Sequence, residues 1–411
     1  MVNFEKTYEE RKARVETAVA NRIPDRVPNV LRVGSYPLAK AGLSAARAMV
    51  DHEAACQAML DFYTHYTYTD TGSVADFTPP AKMLEALDLK TARWPGDPKG
   101  LDDNNTYQFI EFPTLLEDEY EELFNDPAGF WLRRRLPRTI GALEFLEDTD
   151  FLRLAAHSPQ NYMTDPRLIP VYRRLLDAAE ENARYQRIVA EYSKRLTALG
   201  YYSISGGGSA TAFDVLGDGL RGTMGLMTDL ILERDKVKKA IELFCDLHIR
   251  TSLDFCKRTG SHYHWVMLHK GFDNFISDKD YAELYWPYLQ RWIVALVDNG
   301  IVPVVYTEGS YTTRLKYLKD VPVNKVIYHF EEVDLKLAKK ELGDIACLMG
   351  GFPVYTVKYG KPAEIREAVK RHLDIMAPGG GYLFATGYSL GDCPQENLET
   401  LLESVEAFGK Y

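Results

Sequence analysis

Regular alternation of strands and helices after residue 261 is the feature that most restricts the fold of this 411-residue chain. Short apolar runs alternate there with amphipathic helical patterns, and the connections between them are short. The predicted strands are 262–268, 301–306, 325–330, 345–350 and 381–386, and the predicted helices are 235–258, 278–297, 311–318, 334–342, 362–376 and 394–408. The run IVPVVY is almost continuously apolar, as in strands that are covered on both faces. This pattern predicts a parallel α/β sheet.

The first half of the chain adds strand-like segments and points to a closed sheet. Predicted strands lie at 27–33 and 201–205, and helical patterns cover 38–50, 52–65, 115–124 and 166–199. One GxGxxG sequence occurs at 217–222, but it lies inside a helical pattern and no strand leads into it, so it is weak evidence for dinucleotide binding. The sequence therefore predicts an α/β fold, a (β/α)8 TIM barrel, with 1–411 as a single domain and 1–20 as a helical extension.

Charge and composition exclude several classes of protein. The net charge is −10 and the sequence pI is about 5.5, which argues against nucleic acid as the main partner because phosphate binding needs a basic face. The first thirty residues form a charged helical pattern without an apolar signal core, and no run approaches the roughly 18 apolar residues of a membrane span. Five scattered cysteines do not make a disulfide framework, so we expect a cytoplasmic protein.

Several motifs occur in an order that resembles the uroporphyrinogen decarboxylase superfamily. They are RIPDRVP at 22–28, GGG at 206–208 with LRG at 220–222, ISD at 276–278 with YWPY at 285–288, and GGYLFATGY at 380–388 with PQEN at 394–397. Their span, from residue 22 to near the end of the chain, implies a TIM barrel over most of the sequence. The resemblance also implies an enzyme.

Departures from the family pattern separate two branches of the superfamily. Porphyrin decarboxylases carry an arginine-rich RQAGRYLPEYR segment after the first strand, where this chain has LRVGSYPLAK at 31–40 and keeps one arginine, Arg32. Arginines hold the many carboxylates of a porphyrin substrate, so their loss disfavours decarboxylation. The chain more closely resembles the corrinoid-dependent methyltransferases, within them the methyltransferase component of aryl-ether O-demethylases. A metal-free decarboxylase of the uroporphyrinogen type is the alternative.

The resemblance to methyltransferases implies zinc, held in some members by His-x-Cys after the sixth strand and by a later Cys. Here Tyr306 and Glu308 replace the first two positions, and PGGG at 378–381 replaces the later motif. A substitute set is Glu308, His329 and Cys393, with Cys347 as a further candidate, because carboxylate, imidazole and thiolate all bind zinc. The alternative is that Glu308 is a hydrogen-bonding acid of the pocket and His329 a core histidine.

The predicted catalytic residues are Glu308, His269 and Tyr306, which follow or end predicted strands. His269 is a candidate to donate a proton to a leaving oxygen. Candidate substrate-binding residues lie on or near strand ends and are polar or aromatic: His262, His264, Asp273, Trp265, Phe272, Tyr328 and Phe384. Some of these rings also fit a purely structural role in the core.

The resembled reaction moves a methyl group from a methoxylated aromatic compound, or a similar O-methyl donor, to Co(I) of a corrinoid. Zinc would stabilise the leaving oxygen as a Lewis acid. The chain has no DxHxxG-type cobamide-binding loop, so the cobamide is expected on a separate corrinoid protein. The expected partners are this corrinoid protein and a small aromatic methyl ether, without nucleic acid or membrane, and the expected state is a monomer or homodimer.

Overall fold

Six parallel strands form the centre of the computed structural model, which describes residues 4–75, 79–150 and 159–411. The strands are β1 (Gly207–Ala210), β2 (Tyr263–Leu268), β3 (Val302–Ser310), β4 (Ile327–Glu332), β5 (Cys347–Gly350) and β6 (Tyr382–Leu383). Their order in the sheet follows the order in the chain, and every neighbouring pair is parallel. This is the arrangement that the strand–helix alternation predicts.

Two short segments from the first half close this sheet into a barrel. Asn29 pairs in parallel with Phe384 beyond β6, and Thr71 pairs in parallel with Tyr202 ahead of β1. The Asp70 amide donates to the Asn29 carbonyl at 2.7 Å and joins the two segments. The ring therefore has eight positions, and the predicted (β/α)8 barrel is confirmed.

Helices surround the barrel and connect its strands. The longer ones are Phe4–Val19, His52–His65, Ala81–Leu87, Ile169–Ala198, Gly222–Leu232, Arg234–Thr259, Trp286–Asp298, Leu335–Leu342, Val354–Tyr359, Pro362–Met376 and Gln395–Phe408. The helix Pro362–Met376 has the predicted bounds. The first amides of a helix have no hydrogen-bond partner within it, so proline, which lacks an amide hydrogen, is well suited to the first position. Among the described residues, no helix combines the length and the apolar character that crossing a membrane would require.

Several local features differ from the sequence prediction. In place of the predicted strand 201–205 the strand begins at Gly207, and in place of the predicted helix 115–124 the helix is Tyr120–Asn125. The predicted helix 38–50 is two short helices, Tyr36–Lys40 and Ala45–Ala48, because Gly42 has a φ of 69° and the Ser44 side chain starts the second as its N-cap. The helix Val354–Tyr359 was not predicted. Strand β3 is longer than predicted and carries the chain past residue 306 to Ser310.

The N-terminal helix Phe4–Val19 packs against the interior of the barrel. Its Val15 and Ala18 are fully buried in one cluster with inward-facing strand residues such as Val304 and Leu383. Asp70, also fully buried, accepts hydrogen bonds from the guanidinium groups of Arg14 and Arg26. The predicted helical extension is therefore part of the barrel core, with residues 1–3 outside the described residues.

Candidate active site

A cavity of about 670 Å³ opens where the parallel strands end. Parallel barrels carry their active sites at this C-terminal face. Aromatic and sulfur side chains form part of its wall, Trp265 and Met267 from β2 and Tyr306 from β3, together with the carboxylate of Glu308 and the guanidinium of Arg32. Hydroxyls and backbone from the segments 71–75 and 204–208 complete the wall. The cavity is large enough for a substituted aromatic ring.

Glu308 and His269 stand together at this mouth. His269 follows β2, Glu308 lies near the end of the neighbouring strand β3, and the His269 Nε2 atom lies 3.9 Å from Glu308 Oε1. Their side chains are 31% and 39% exposed, so both reach solvent, and Glu308 also lines the cavity. The sequence prediction that these two residues lie at one site is consistent with this placement.

A carboxylate behind His269 determines its protonation. His269 Nδ1 lies 2.6 Å from Asp218 Oδ2. Burial alone would lower the pKa of His269, but the hydrogen bond to Asp218 and the charges of Asp214 and Glu308 raise it to about 9. The ring is therefore an imidazolium at neutral pH and can donate a proton from Nε2. Burial, only partly opposed by His269, raises the pKa of Glu308 above its usual value.

Two aspartates on one helical segment organise this part of the site. Asp214 is fully buried and accepts hydrogen bonds from the His269 and Lys270 amides at 3.1 and 2.8 Å. Asp218 accepts from Lys270 Nζ at 2.8 Å as well as from His269. The sequence analysis missed both aspartates, although their i,i+4 spacing places them on one helix face.

Gly217, the first glycine of the GxGxxG sequence, makes room for these contacts. The segment Val215–Leu220 is a π-helical turn, not the strand–loop–helix of a dinucleotide site. A side chain at Gly217 would place its Cβ 2.6 Å from Lys270 Cε. The absence of a Cβ at Gly217 therefore allows Lys270 to reach Asp218.

Tyr306 lines the cavity, but its hydroxyl is already used. It donates to the Gly387 carbonyl at 3.3 Å, and burial raises the pKa of Tyr306 above its ordinary value. Its ring lies 4.7 Å from the ring of His329. Tyr306 therefore forms a wall of the cavity, and its hydroxyl proton is committed to the Gly387 carbonyl.

His329 is buried inside the barrel and not at its open mouth. It is 1% exposed, and its Nε2 lies 3.1 Å from the Thr386 carbonyl oxygen. Burial lowers the pKa of His329 to about 3, so the ring stays neutral. Nδ1 has no hydrogen-bond partner among the described residues.

The other predicted zinc ligands do not converge on Glu308 and His329. Cys393 lies in the outer core, close enough to Tyr36 and Tyr66 to affect their pKa values. Cys347 belongs to the interior cluster and pairs with Ile327, at the start of β4. Within residues 4–75, 79–150 and 159–411, no three carboxylate, imidazole or thiol groups are arranged to hold a metal ion. The predicted set of Glu308, His329 and Cys393 therefore does not fit a zinc ion.

Of the predicted substrate-binding residues, Trp265 lines the cavity. His264 alternates with it and points outward, where its Nδ1 lies 3.8 Å from Cys256 Sγ and its ring meets Trp292 at 5.7 Å. His262 is exposed, one residue before the N-terminal end of β2. The period-two spacing therefore does not bring the two histidines to the cavity, because His264 lies on the outer face of β2 and His262 precedes the strand.

The remaining four predicted contacts have structural partners. Tyr328 and Phe384 are fully buried in the outer core, and the Tyr328 hydroxyl donates to the Leu318 carbonyl. Asp273 accepts hydrogen bonds from Ser310 and Thr313 and so joins the loops after β2 and β3. Phe272 packs against Phe275, with ring centroids 5.1 Å apart. The structure does not bring these side chains to the cavity wall.

A protein-family comparison matches this barrel directly. The model of the uroporphyrinogen decarboxylase (URO-D) family matches residues 182–408, more than half of the chain. The fold is a (β/α)8 barrel with a cavity at the C-terminal ends of its strands. Because the family model covers more than half of the chain, the chain belongs to the URO-D family. The resemblance inferred from the sequence motifs is confirmed.

Relatives occur in both branches of the family. A uroporphyrinogen decarboxylase of Chlorobaculum parvum is 32% identical over 33% of this chain and 40% of that protein. The methylcobamide:CoM methyltransferase MtbA of Methanosarcina acetivorans is 24% identical over 39% of this chain and 49% of that protein. These matches span about half or less of the relatives' lengths.

A solved structure supports the fold over nearly the whole chain. A methyltransferase from Methanosarcina mazei superposes with a TM-score of 0.61, covering 97% of this chain and 98% of that one at 16% identity. At this identity the likeness concerns the fold alone.

Proposed function

We propose that this chain is a corrinoid-dependent methyltransferase that demethylates an aryl methyl ether, with His269 and Glu308 supplying the proton that the leaving oxygen needs. The observation that carries the proposal is the imidazolium of His269 beside Glu308, 3.9 Å away, at the mouth of a cavity with aromatic walls. The methylcobamide:CoM methyltransferase among the relatives supports this branch of the family.

The difficulty of the reaction lies in the leaving group, because a phenolate leaves slowly unless the negative charge that develops on its oxygen is stabilised. Co(I) of the corrinoid protein supplies the electron pair that forms the new bond to the methyl carbon. As the carbon–oxygen bond breaks, that bond's electron pair stays on the oxygen. A proton from His269 Nε2, directly or through Glu308, neutralises it and yields the phenol. The deprotonated pair then regains a proton from solvent.

The residues around the cavity divide the remaining work. Trp265 and Tyr306 offer ring faces for an aromatic substrate, and Met267 lines the same cavity. The substrate and the corrinoid protein come together at the open end of the barrel. The chain itself contributes the pocket and the acid.

A metal-free decarboxylase is the second candidate, and Arg32 favours it. Its guanidinium lines the cavity, forms no ion pair among the described residues, and lies 5.3 Å from the centre of the Trp265 ring. It could therefore receive a substrate carboxylate. A macrocycle with several carboxylates would also meet the carboxylate of Glu308 in the same wall, which disfavours that substrate.

The decisive experiment offers both substrate types to the purified protein under anaerobic conditions. With chemically reduced cob(I)alamin as acceptor, we expect guaiacol or veratrole to lose a methyl group, detected as the demethylated phenol and as methylcobalamin. Glu308→Gln should abolish this turnover, and Glu332→Gln, which changes an exposed carboxylate on the next strand, should retain it. Release of CO2 from uroporphyrinogen without methyl transfer would replace the proposal with the decarboxylase.

A further inference from the structure

Asp218 contacts the two cationic side chains that follow β2. Its Oδ2 lies 2.6 Å from His269 Nδ1, and its Oδ1 lies 2.8 Å from Lys270 Nζ. The carboxylate is 22% exposed. Burial would raise the pKa of Asp218, but the hydrogen bonds from both cations lower it, so the group is a carboxylate at neutral pH.

This contact determines which nitrogen of His269 faces the substrate. A carboxylate only accepts hydrogen bonds, so Nδ1 must carry a hydrogen in either protonation state of the ring. The opposite nitrogen, Nε2, is then the one that gains and loses a proton. It is also the nitrogen that faces Glu308.

Asp214 holds the backbone at the same place. Its two oxygens accept from the amides of His269 and Lys270, and it also accepts from the Tyr285 hydroxyl at 2.7 Å. Tyr285 ends a second π-helical turn, Tyr281–Tyr285. Asp218 therefore holds the ring of His269 and Asp214 holds its backbone amide. The two aspartates lie about one helical turn apart.

We infer that Asp218 is a positioning residue of the proton donor: it orients His269 and keeps its Nε2 directed at Glu308 and the cavity, so that Asp218, His269 and Glu308 form one proton-delivery chain. The inference rests on the proposed function for its catalytic meaning. The orientation and charge of His269 can be measured without any turnover.

The test is a pH titration of His269 by NMR on protein labelled at histidine, in the wild type and in Asp218→Asn, with His269→Gln to assign the signal. We expect His269 of the wild type to titrate near pH 9, with the hydrogen on Nδ1 in the neutral form. In Asp218→Asn the midpoint should fall by at least one pH unit, because the amide keeps the shape but loses the charge. Asp254→Asn, an exposed carboxylate on the helix Arg234–Thr259, should leave the midpoint unchanged.

Turnover provides the second measurement. Asp218→Asn should reduce kcat by about tenfold or more with little change in KM, and the decline of kcat at alkaline pH should begin at a lower pH. Asp218→Glu, which keeps the charge on a longer arm, should keep the NMR midpoint high while kcat falls, and it serves as the second variant if Asp218→Asn does not fold. An unchanged midpoint in Asp218→Asn would overturn the inference and leave the methyltransferase proposal standing. A lowered midpoint in a protein that transfers no methyl group would overturn the proposed function alone.

Discussion

His269 Nε2 lies 3.9 Å from Glu308 Oε1, across two neighbouring parallel strands, while His269 Nδ1 lies 2.6 Å from Asp218. An imidazolium between two carboxylates is an acid whose strength depends on both of them. Its position beside an aromatic-walled cavity connects the fold of this URO-D family member to the chemistry proposed for it.

Replacing His269 by Gln should slow methyl transfer by about 10²- to 10⁴-fold, the usual contribution of a positioned general acid. The loss should be smaller for methyl ethers with electron-withdrawing substituents, because their phenolates leave without a proton. Single-turnover rates across a series of substituted anisoles would measure this dependence. Equal losses for all leaving groups would mean that His269 does not protonate the oxygen.

The rate of the wild type should fall as the pH rises through about 9, the pKa of His269, because the donor is then deprotonated. Below that pH His269 stays protonated, so its ionisation should cause no change in the rate. A pH profile of kcat, compared between the wild type and His269→Gln, shows whether the alkaline limb belongs to this residue. An identical limb in both proteins would assign it to another group.

Cys393→Ser should leave methyl transfer unchanged, since Cys393 lies in the outer core and not with Glu308. Turnover of the variant is the measurement, and Glu308→Gln, which should abolish turnover, provides the contrast. A loss of activity in a folded Cys393→Ser protein would show that the thiol reaches the site during the reaction.

Trp265→Leu should raise KM for an aromatic ether by about tenfold with a smaller effect on kcat, because an aromatic contact contributes about 0.5–1.5 kcal/mol beyond its buried area. Trp265 lines the cavity and its indole N–H donates to the Ile204 carbonyl at 3.1 Å. Trp265→Phe keeps a ring face and should lie between the two. Initial rates at varied ether concentration would distinguish binding from chemistry.

Acid should destabilise the protein through buried histidines, among them His248, His264 and His372 beside His329, whose pKa burial lowers to about 3. Burial lowers the pKa of His248, His264 and His372 to about 4, so in the folded state they stay neutral while in the unfolded chain they bind protons near pH 6.5. Since the unfolded state then binds more protons, stability should fall as the pH is lowered from about 6.5 to about 4. In urea unfolding at several pH values, His264→Leu should reduce this slope by up to about 1.4 kcal/mol per pH unit.

Asp70→Ala should cost about 3–5 kcal/mol of the free energy of unfolding, because it leaves two guanidinium groups, Arg14 and Arg26, without their buried partner. Asp25 contacts the same Arg14 but is 64% exposed, so Asp25→Ala should cost less than about 1 kcal/mol. Chemical denaturation of the two variants makes the comparison. Equal costs would show that the buried position of Asp70 adds nothing to the attachment of the N-terminal helix.

The sequence by itself determined the barrel in its second half and the family. Apolar strands of four to eight residues and amphipathic helices are local patterns, and a proline marks the start of Pro362–Met376 in sequence and structure alike. The first two barrel positions are short bridges around Asn29 and Thr71, so they left a weaker pattern. The sequence predicted Glu308 and His269 as site residues because both stand at or just beyond the ends of strands, which the structure places side by side.

Only the tertiary structure decided which donors meet. Asp218 reaches His269 across 51 positions of sequence through a π-helical turn, and Cys393 follows the last strand yet lies in the outer core. Likewise, period-two spacing predicted His262 and His264 on one face of a strand without telling which face was inside. Local spacing sets the direction of a side chain relative to its own strand or helix. Which side chain it faces depends on how all the elements pack, and a single sequence does not state that.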